Sequence, residues 1–527
     1  MDVVEIRHLV GVLLKHCPST RHITRLTNRL VGSQVPSSRR YLHSRQNKIH
    51  QLCRLVSTKP GTVLQPDNAG GDVVKKLDDK SYFKRLGKTT NHYWTDHAED
   101  ILQRLNMERL VDPDHNLNLR ENLRRRYCDD KVDLDVIRSL WGRWSTTTSR
   151  KDREELASTV VGLALWVPND SCSEALAIPD DAPVPINVHG QPTTPEVLEF
   201  QKYCDKHGWL RNDNLGNIAN HRSYFLKGPL AELEEALVRY ALDAVKKLGF
   251  QLISVPDILY PHVIESCGMK TRSDRDQVFW VELPDSPNSE VCLSGTAEMS
   301  IGGSLQDRTF MLSSLPLKLA AVSRCFRAET SSIEEERGLY RVHEFTKVEL
   351  FGVTAAETGT ESSELHQEIR TLEESLFSQL GIHFKTLEMP PSELGLPAFR
   401  KFDIEAWMPG RKMFGEISSC SNCTDFQSRR LNIRYKREGE SRQPGVLPFV
   451  HTVNGTAMAI PRMLITLVEA CQRPDGSIEI PPVLHKFMTR PWEESVKVNP
   501  KFQTSFLRTK AAQIKYLKQF RELELDN

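Results

Sequence analysis

Ionisable and aromatic side chains alternate along residues 340–351, and their spacing suggests chemistry on a nucleotide. Alternation with a period of two predicts a strand, because successive side chains of a strand point to opposite faces. One face would carry Arg341, His343, Phe345, Lys347 and Glu349. Phe345 and Glu349 would lie about 13 Å apart, the span from an adenine ring to a group attached beyond its α-phosphate. An aromatic ring for a base, an arginine for a phosphate and a carboxylate for an ammonium would suit an aminoacyl-adenylate.

This strand needs a partner to position it, and the preceding segment supplies one. Residues 317–329 predict a second strand, on which Arg327 and Glu329 share a face. The intervening residues 330–339 are polar and charged, so we expect an antiparallel hairpin with a long tip. Upstream, residues 230–248 predict an amphipathic helix, followed by a strand that ends at Pro256. The pattern alone indicates ATP-linked chemistry on a polar sheet face and no particular substrate.

Four segments of the chain carry motifs whose order points to one family. They are Ser294-Gly295-Thr296-Ala297-Glu298, Arg324-Cys325-Phe326-Arg327-Ala328-Glu329 with Gly338–Glu349, Phe414–Asn422 with Asp425–Arg430, and Asn454–Arg462. Together they resemble the serine-binding loop, the second class II motif, the ATP- and metal-binding strand and the third class II motif of seryl-tRNA synthetases, the mitochondrial forms in particular. The helix–strand unit before Pro256 takes the place of the first class II motif, usually a dimer contact.

The resemblance covers about residues 200–490 and implies an α+β fold, in which a mainly antiparallel class II synthetase sheet is flanked by helices. It implies ATP-dependent attachment of serine to tRNA(Ser) in two steps. Serine and ATP would first give seryl-adenylate and pyrophosphate, and a ribose hydroxyl of the tRNA would then take the seryl group. Mg²⁺ as a cofactor and a homodimer are implied as well.

The resemblance also assigns roles residue by residue. Arg327 and Arg462 would be the catalytic arginines, at the α-phosphate and the γ-phosphate of ATP. The other ATP contacts would be Ala328, Glu329, Val342, Phe345, Glu416, Ile417, Ser418 and Ser419. Glu416 and Ser419 would also hold Mg²⁺, which prefers oxygen ligands. The serine site would consist of Thr296, Ala297, Glu298, Glu349 and Thr456. His343 could either act in the site or support the hairpin.

The segment before the catalytic domain predicts a helical, tRNA-binding domain over residues 80–170. Apolar spacing predicts helices over 99–110, 117–127, 134–144 and 152–165, the last two forming a hairpin. Residues 121–135 and 165–169 resemble the two ends of the family's long coiled-coil arm, with only about thirty residues between them. The arm is therefore expected to be shortened, with a reach of about 20 Å. Six prolines between residues 166 and 200 should break helix and strand alike and mark a domain boundary.

Both ends of the chain are basic. Residues 1–60 contain eleven Lys or Arg, six Ser and two acidic residues, a composition typical of mitochondrial or plastid transit peptides. With the resemblance, this segment predicts targeting to the mitochondrial matrix; the alternative is a basic tail that binds RNA. Residues 491–527 predict a basic C-terminal tail. The basic runs 124–126, 150–153 and 497–518 are candidate tRNA phosphate contacts or simply solvated faces.

The overall composition excludes several classes of protein. The 70 Lys and Arg nearly balance the 69 Asp and Glu, for a net charge of +1, so any nucleic-acid surface must be local. No apolar run approaches the length of about 18 residues that a membrane span requires. The eleven cysteines are scattered, which suits a reduced interior, and Cys420-x-x-Cys423 lacks the second pair of a zinc finger.

The sequence departs from the family pattern at a few positions. Ala457 and Pro461 stand where glycines are common in the third motif, and Glu344 replaces the usual glutamine. The charged residues assigned to ATP and serine are retained, which favours an active enzyme. Two alternatives stay open: a non-catalytic synthetase-like protein that binds tRNA or a protein partner, and a class II synthetase for another amino acid.

Overall fold

The computed structural model describes residues 91–129, 132–179, 182–192, 196–213, 215–216, 218–272, 277–283, 290–329, 338–441 and 446–497. The predicted targeting segment, most of the hairpin tip and residues 498–527 of the tail lie outside these residues.

The helices and strands follow one another along the chain. The helices are α1 His92–Asp96, α2 Ala98–Arg104, α3 Met107–Val111, α4 Pro113–Arg125, α5 Leu134–Thr146, α6 Arg150–Ala164, α7 Ser173–Leu176, α8 Phe200–His207, α9 Pro229–Lys247, α10 Pro261–Ser266, α11 Ala297–Ser304, α12 Glu361–Gln379, α13 Phe426–Leu431, α14 Ile460–Ala470, α15 Pro482–His485 and α16 Trp492–Lys497. The strands are β1 Val184–His189, β2 Leu210–Arg211, β3 Phe225–Leu226, β4 Gln251–Leu252, β5 Ile258–Leu259, β6 Trp280–Glu282, β7 Glu290–Leu293, β8 Thr309–Met311, β9 Leu317–Phe326, β10 Glu344–Thr354, β11 Phe384–Glu388, β12 Arg400–Met408, β13 Met413–Thr424, β14 Arg434–Lys436 and β15 His451–Ala459.

An eight-stranded sheet, in the order β1-β11-β12-β13-β15-β10-β9-β4, forms the centre of the fold. Its neighbours are antiparallel except β4 and β9, which run parallel. Helices α9, α12 and α14 bury their apolar stripes against it in the largest core, and α11 belongs to a second core that includes residues of β9 and β10. The predicted α+β fold, an antiparallel sheet flanked by helices, is confirmed.

Helix α9 forms as its sequence pattern predicts, whereas the strand after it is shorter than predicted. The predicted helix over 230–248 is present, with Pro229 in its first turn, where proline is well tolerated. Leu233, Leu237 and Ala241 of its apolar stripe are completely buried. The strand predicted to run to Pro256 is wrong in length, because only β4 pairs with β9.

The hairpin of β9 and β10 is present but shorter than predicted. Its register pairs Phe345 with Cys325 and Glu349 with Ala321. The second strand begins at Glu344 rather than Tyr340, because the amide of His343 donates to the Arg222 carbonyl at 3.3 Å instead of joining the ladder. Arg341 and His343 therefore lie before the strand and not on its face as expected, although Arg341 still lines the same cleft as Phe345.

Helices α1–α6 pack around a core of their own, which includes Trp94, Ile137 and Val160. The hairpin of α5 and α6 matches the two predicted helices. The single helix predicted over 99–110 is wrong: α2 ends at Arg104, and the side chain of Asn106 caps α3. Asparagine at such a position competes with helix continuation.

Two arginines of α13 join this helical bundle to the part of the chain that contains the large sheet. Arg429 donates to the carbonyl of Arg104 at 3.0 Å, and Arg430 donates to that of Leu165 at 2.8 Å. Both carbonyls lie at helix C-termini, where cationic donors are favoured. The bundle is thus held against the core by side chains that reach from the core into it.

Two further expectations fail in this region. Arg126, a candidate phosphate contact, is 6% exposed and donates to the carbonyls of Gly395 and Ala398, so it stabilises the packing of loops. The proline-rich segment was expected to exclude regular structure, yet β1 contains Pro185 and forms an edge of the large sheet. An edge strand tolerates proline because one side of its backbone needs no partner.

None of the helices in the described ranges is long and apolar enough to cross a membrane.

Candidate active site

A cleft on the polar face of the large sheet brings together most of the predicted ATP residues. It is lined by Arg327, Glu329, Tyr340, Arg341, Val342, Phe345, Lys347, Glu416, Ile417, Ser418, Ser419, Thr456, Ala459, Pro461 and Arg462. Four of these side chains are cationic and two are carboxylates, so the cleft favours a polyanion such as a triphosphate.

The hairpin positions Arg327 beside Phe345. The main-chain amide of Arg327 donates to the His343 carbonyl at 2.9 Å, and its Nε donates to the Gly295 carbonyl at 3.3 Å. Its guanidinium lies 5.4 Å from the centre of the Phe345 ring, within the range of a cation–π contact. The aromatic ring and the phosphate-binding fork expected for an adenylate are therefore adjacent.

Glu416 on β13 and Arg462 on α14 face each other across the cleft. Their side chains approach to 3.2 Å, and Arg462 also donates to the Glu416 carbonyl at 2.9 Å. The guanidinium of Arg462 lies 4.7 Å from the centre of the Tyr340 ring. Burial acts to raise the pKa of Glu416, but the charges of Arg462, Lys401 and Arg327 outweigh it and lower that pKa to about 2. Glu416 is therefore ionised and ready to meet a cation.

The predicted serine residues form a buried polar cluster next to this cleft. Thr296 caps the start of α11 and donates its hydroxyl to Glu349 at 2.8 Å. Glu349, which is 2% exposed, is also ion-paired with Lys347. The Lys347 ammonium reaches the Thr456 hydroxyl at 3.4 Å. This arrangement supplies carboxylate and hydroxyl partners for a small ligand that carries an ammonium and a hydroxyl.

Glu298 completes the cluster from the first turn of α11. Desolvation and the charge of Glu349 raise its pKa to about 7 despite hydrogen bonds from Gln427 and Asn454. Its side chain is only partly buried, so one side can meet a ligand. Glu298 and Glu349, two carboxylates in different environments, thus lie near the ammonium of Lys347.

Some predicted residues lie away from the cleft, and some lining residues were not predicted. Ala328 and Ala297 do not line it; the Ala328 amide donates to the Gln277 carbonyl at 2.9 Å. The His343 ring packs against His221 and Phe279, which favours the support role. Tyr340 also lines the cleft but is not among the predicted site residues. Its position, as an aromatic residue just before the paired part of the hairpin, is a signal that could have identified it.

The donor set for a metal consists of oxygen atoms. The Glu416 carboxylate and the Ser419 hydroxyl both line the cleft, and such donors suit Mg²⁺ when phosphate oxygens complete its shell. No group of three or more His, Cys, Asp or Glu side chains among the described residues is arranged to hold a metal alone. Cys420 and Cys423 are buried, and burial raises the pKa of each thiol well above its usual range.

Glu373 of α12 lies directly under the floor of the site. The side chain is completely buried, and a Cβ added at Gly455 would meet its Oε1 at 2.6 Å. Burial, reinforced by Glu349, raises the pKa of Glu373 well above its usual range. The folded protein therefore holds a proton here that the unfolded chain releases above about pH 4.5, and folding stability falls as the pH rises from there towards the raised pKa.

Glu373→Gln should remove this pH dependence, because the amide is neutral at every pH. The difference between the thermal midpoints of the variant and the wild type should shift by about 1–2 °C in favour of the variant for each pH unit between pH 6 and pH 8. The measurement is thermal unfolding at a series of pH values. Glu364→Gln makes the same change on the exposed side of α12 and serves as control. A constant difference between Glu373→Gln and the wild type would contradict a protonated Glu373.

Comparison with known proteins gives the same picture. Residues 279–471 match the family described as the tRNA synthetase class II core domain (G, H, P, S and T). A mitochondrial serine–tRNA ligase from Bos taurus is 46% identical over 280 residues, 53% of this chain and 52% of that protein. The chain thus spans about half the length of this relative. A serine–tRNA ligase from Rhodopirellula baltica is 33% identical over 410 residues, 75% of this chain and 92% of that protein.

A solved structure extends the likeness to three dimensions. The seryl-tRNA synthetase from Pyrococcus horikoshii, crystallised with ATP, aligns with a TM-score of 0.62 and 25% sequence identity. The alignment covers 73% of this chain and 98% of that one, so it reaches beyond the residues of the class II core.

Proposed function

The chain belongs to the serine–tRNA ligase family, and from this we propose that it attaches serine to tRNA(Ser) at the expense of ATP. The observation that carries the proposal is the adjacency of two sites. A cationic cleft with Arg327, Phe345 and Arg462 adjoins the buried polar cluster of Thr296 and Glu349. ATP and serine can therefore meet with their reacting groups side by side.

The first step needs position and charge neutralisation more than a dedicated base. Adenine stacks on Phe345, and the α-phosphate lies at Arg327, whose fork-shaped donors suit phosphate oxygens. The ammonium of serine meets Glu298 and Glu349, which leaves its carboxylate free to attack the α-phosphorus. Arg327 neutralises the charge that develops there, and Arg462 holds the departing pyrophosphate.

Mg²⁺ would supply further charge neutralisation on the phosphates. Glu416 and Ser419 are the residues that would hold it, and the low pKa of Glu416 supports that role. In the structure Glu416 is paired with Arg462, so the residue that would hold the metal lies beside the residue assigned to the γ-phosphate.

The second step delivers the seryl group to a ribose hydroxyl of the tRNA. We assign tRNA binding to the domain predicted over residues 80–170, whose hairpin helices α5 and α6 contain 13 and 15 residues. Exposed Arg124 and Arg150 of the bundle are candidate phosphate contacts, although both already pair with a glutamate. A homodimer and a place in the mitochondrial matrix complete the proposal, supported by family membership and by the composition of residues 1–60.

The test is ATP–pyrophosphate exchange with purified protein across several amino acids. Serine should support exchange, and alanine should support at least about a hundredfold less, because it leaves buried polar groups of the site unpaired. Charging of tRNA(Ser) is measured separately, so that transfer is distinguished from activation. Exchange that threonine or alanine drives faster than serine would indicate a different amino-acid specificity.

The non-catalytic alternative gives a different result in the same experiment. A folded protein that binds tRNA(Ser) yet catalyses no exchange with any amino acid would refute the enzyme and support a binding protein. The charged residues that the resemblance assigns to ATP, Arg327, Glu416 and Arg462, all line one cleft, which favours the enzyme.

A further inference from the structure

A buried chain of two hydrogen bonds ends on Glu298. The amide nitrogen of Gln427 donates to Glu298 Oε1 at 2.6 Å, and the Thr452 hydroxyl donates to the amide oxygen of Gln427 at 2.7 Å. Gln427 lies on α13 and Thr452 on β15, and both are completely buried. A buried amide and hydroxyl are costly unless they are paired; here the hydroxyl pairs with the amide oxygen, and the amide nitrogen pairs with Glu298.

The direction of these two hydrogen bonds determines which charge state of Glu298 they favour. A carboxylate is an acceptor only, whereas a protonated carboxyl can also donate. With the Thr452 hydroxyl on its oxygen, the Gln427 amide presents its nitrogen to Glu298 and therefore matches the ionised form. Glu298 needs such support, because desolvation and Glu349 act against its charge.

The surroundings of Glu298 offer limited compensation. Lys347 on β10 and Asn454 on β15 favour the charged form, and Glu349 on β10 opposes it. The thiols of Cys267 and Cys423 also face it. Lys347 is itself in contact with Glu349, so Glu298 depends on its amide donors, Gln427 first and then Asn454.

We propose that Gln427 and Thr452 are positioning residues that favour the ionised form of Glu298 and hold it towards the ammonium of serine. The proposal rests on the proposed serine site. It extends that site by naming the residues that support Glu298 from behind, without touching serine themselves. Neither residue touches the ATP cleft, so their effect should appear in the KM for serine and not in the KM for ATP. Because Gln427 belongs to α13, the segment that docks on the helical bundle also supports the amino-acid site.

The test is serine-dependent ATP–pyrophosphate exchange by Gln427→Leu between pH 6 and pH 9. Loss of the donor should raise the pKa of Glu298, so that serine meets a protonated acid at neutral pH. We expect the KM for serine to rise about fivefold at pH 7, because raising a pKa of about 7 by one unit leaves about a tenth instead of half of Glu298 ionised. At pH 9 the KM should approach the wild-type value. The KM for ATP should stay unchanged at both pH values.

A second pair of variants keeps the test independent of folding problems at Gln427. Thr452→Val keeps the volume and removes the hydroxyl, and it should raise the KM for serine in the same direction by a smaller factor. Thr452→Ser keeps the hydroxyl and should therefore keep the wild-type KM for serine. Gln367→Leu, the same substitution on the exposed surface of α12, controls for a general effect.

The possible outcomes separate this inference from the proposed function. Without exchange by the wild type, the proposed function itself fails. If the wild type is active and Gln427→Leu and Thr452→Val both keep its serine KM across the pH range, the positioning role is wrong. Equal increases in the KM values for serine and ATP would show a structural role instead.

Discussion

Arg327→Ala is expected to lower the rate of serine-dependent ATP–pyrophosphate exchange by about a hundredfold to a thousandfold. This is the loss that follows when one preorganised donor to a developing negative charge is removed. The Arg327 side chain is held by the Gly295 carbonyl and the Phe345 ring, so little reorganisation is needed when ATP binds. The effect should fall mainly on kcat, because the charge at the α-phosphorus grows in the transition state.

Arg324 offers a matched control three residues earlier, within β9. Its side chain is exposed and does not line the cleft, so Arg324→Ala should leave exchange within about twofold of the wild type. Arg327→Lys should fall between, because an ammonium keeps the charge and loses the fork geometry. Equal rates for Arg327→Ala and Arg324→Ala would rule out the assigned role of Arg327.

Local pattern accounts for the parts of this site that lie on one hairpin. Alternation placed Phe345, Lys347 and Glu349 on one face, and the register of β9 and β10 agrees. The same logic failed for His343, since its amide bonds to Arg222, a residue more than a hundred positions away in the chain. Pairing with distant backbone cannot be anticipated from the spacing of side chains.

The remaining features depend on which elements meet in space. In the sequence, Glu373 has the features of an ordinary polar residue of an amphipathic helix. Its burial follows from the packing of α12 under Gly455, which the sequence does not show. The contact between Gln427 and Glu298 joins positions 129 residues apart. Resemblance to a family located the motifs that contain both residues, but it did not pair them. Sequence therefore predicted side chains that the structure brings together in one cleft, whereas the hydrogen bonds behind them became visible only in the structure.

Glu349→Gln is expected to reduce kcat/KM for serine by about a hundredfold or more and to destabilise the fold. The amide can still accept from Thr296, but it no longer neutralises the ammonium of serine or that of Lys347. Breaking a buried ion pair by removing one partner costs about 3 kcal/mol or more, so the thermal midpoint should fall by several degrees.

The double variant Lys347→Met/Glu349→Gln separates these two effects. Removing both charges leaves neither ion stranded in the core, so the thermal midpoint should recover most of the loss. Serine-dependent exchange should stay low, because the carboxylate that meets the substrate is still missing. Thermal unfolding and exchange kinetics on the two variants are the measurements. If exchange recovered together with stability, Glu349 would serve only to neutralise Lys347, and the serine ammonium would have to depend on Glu298 alone.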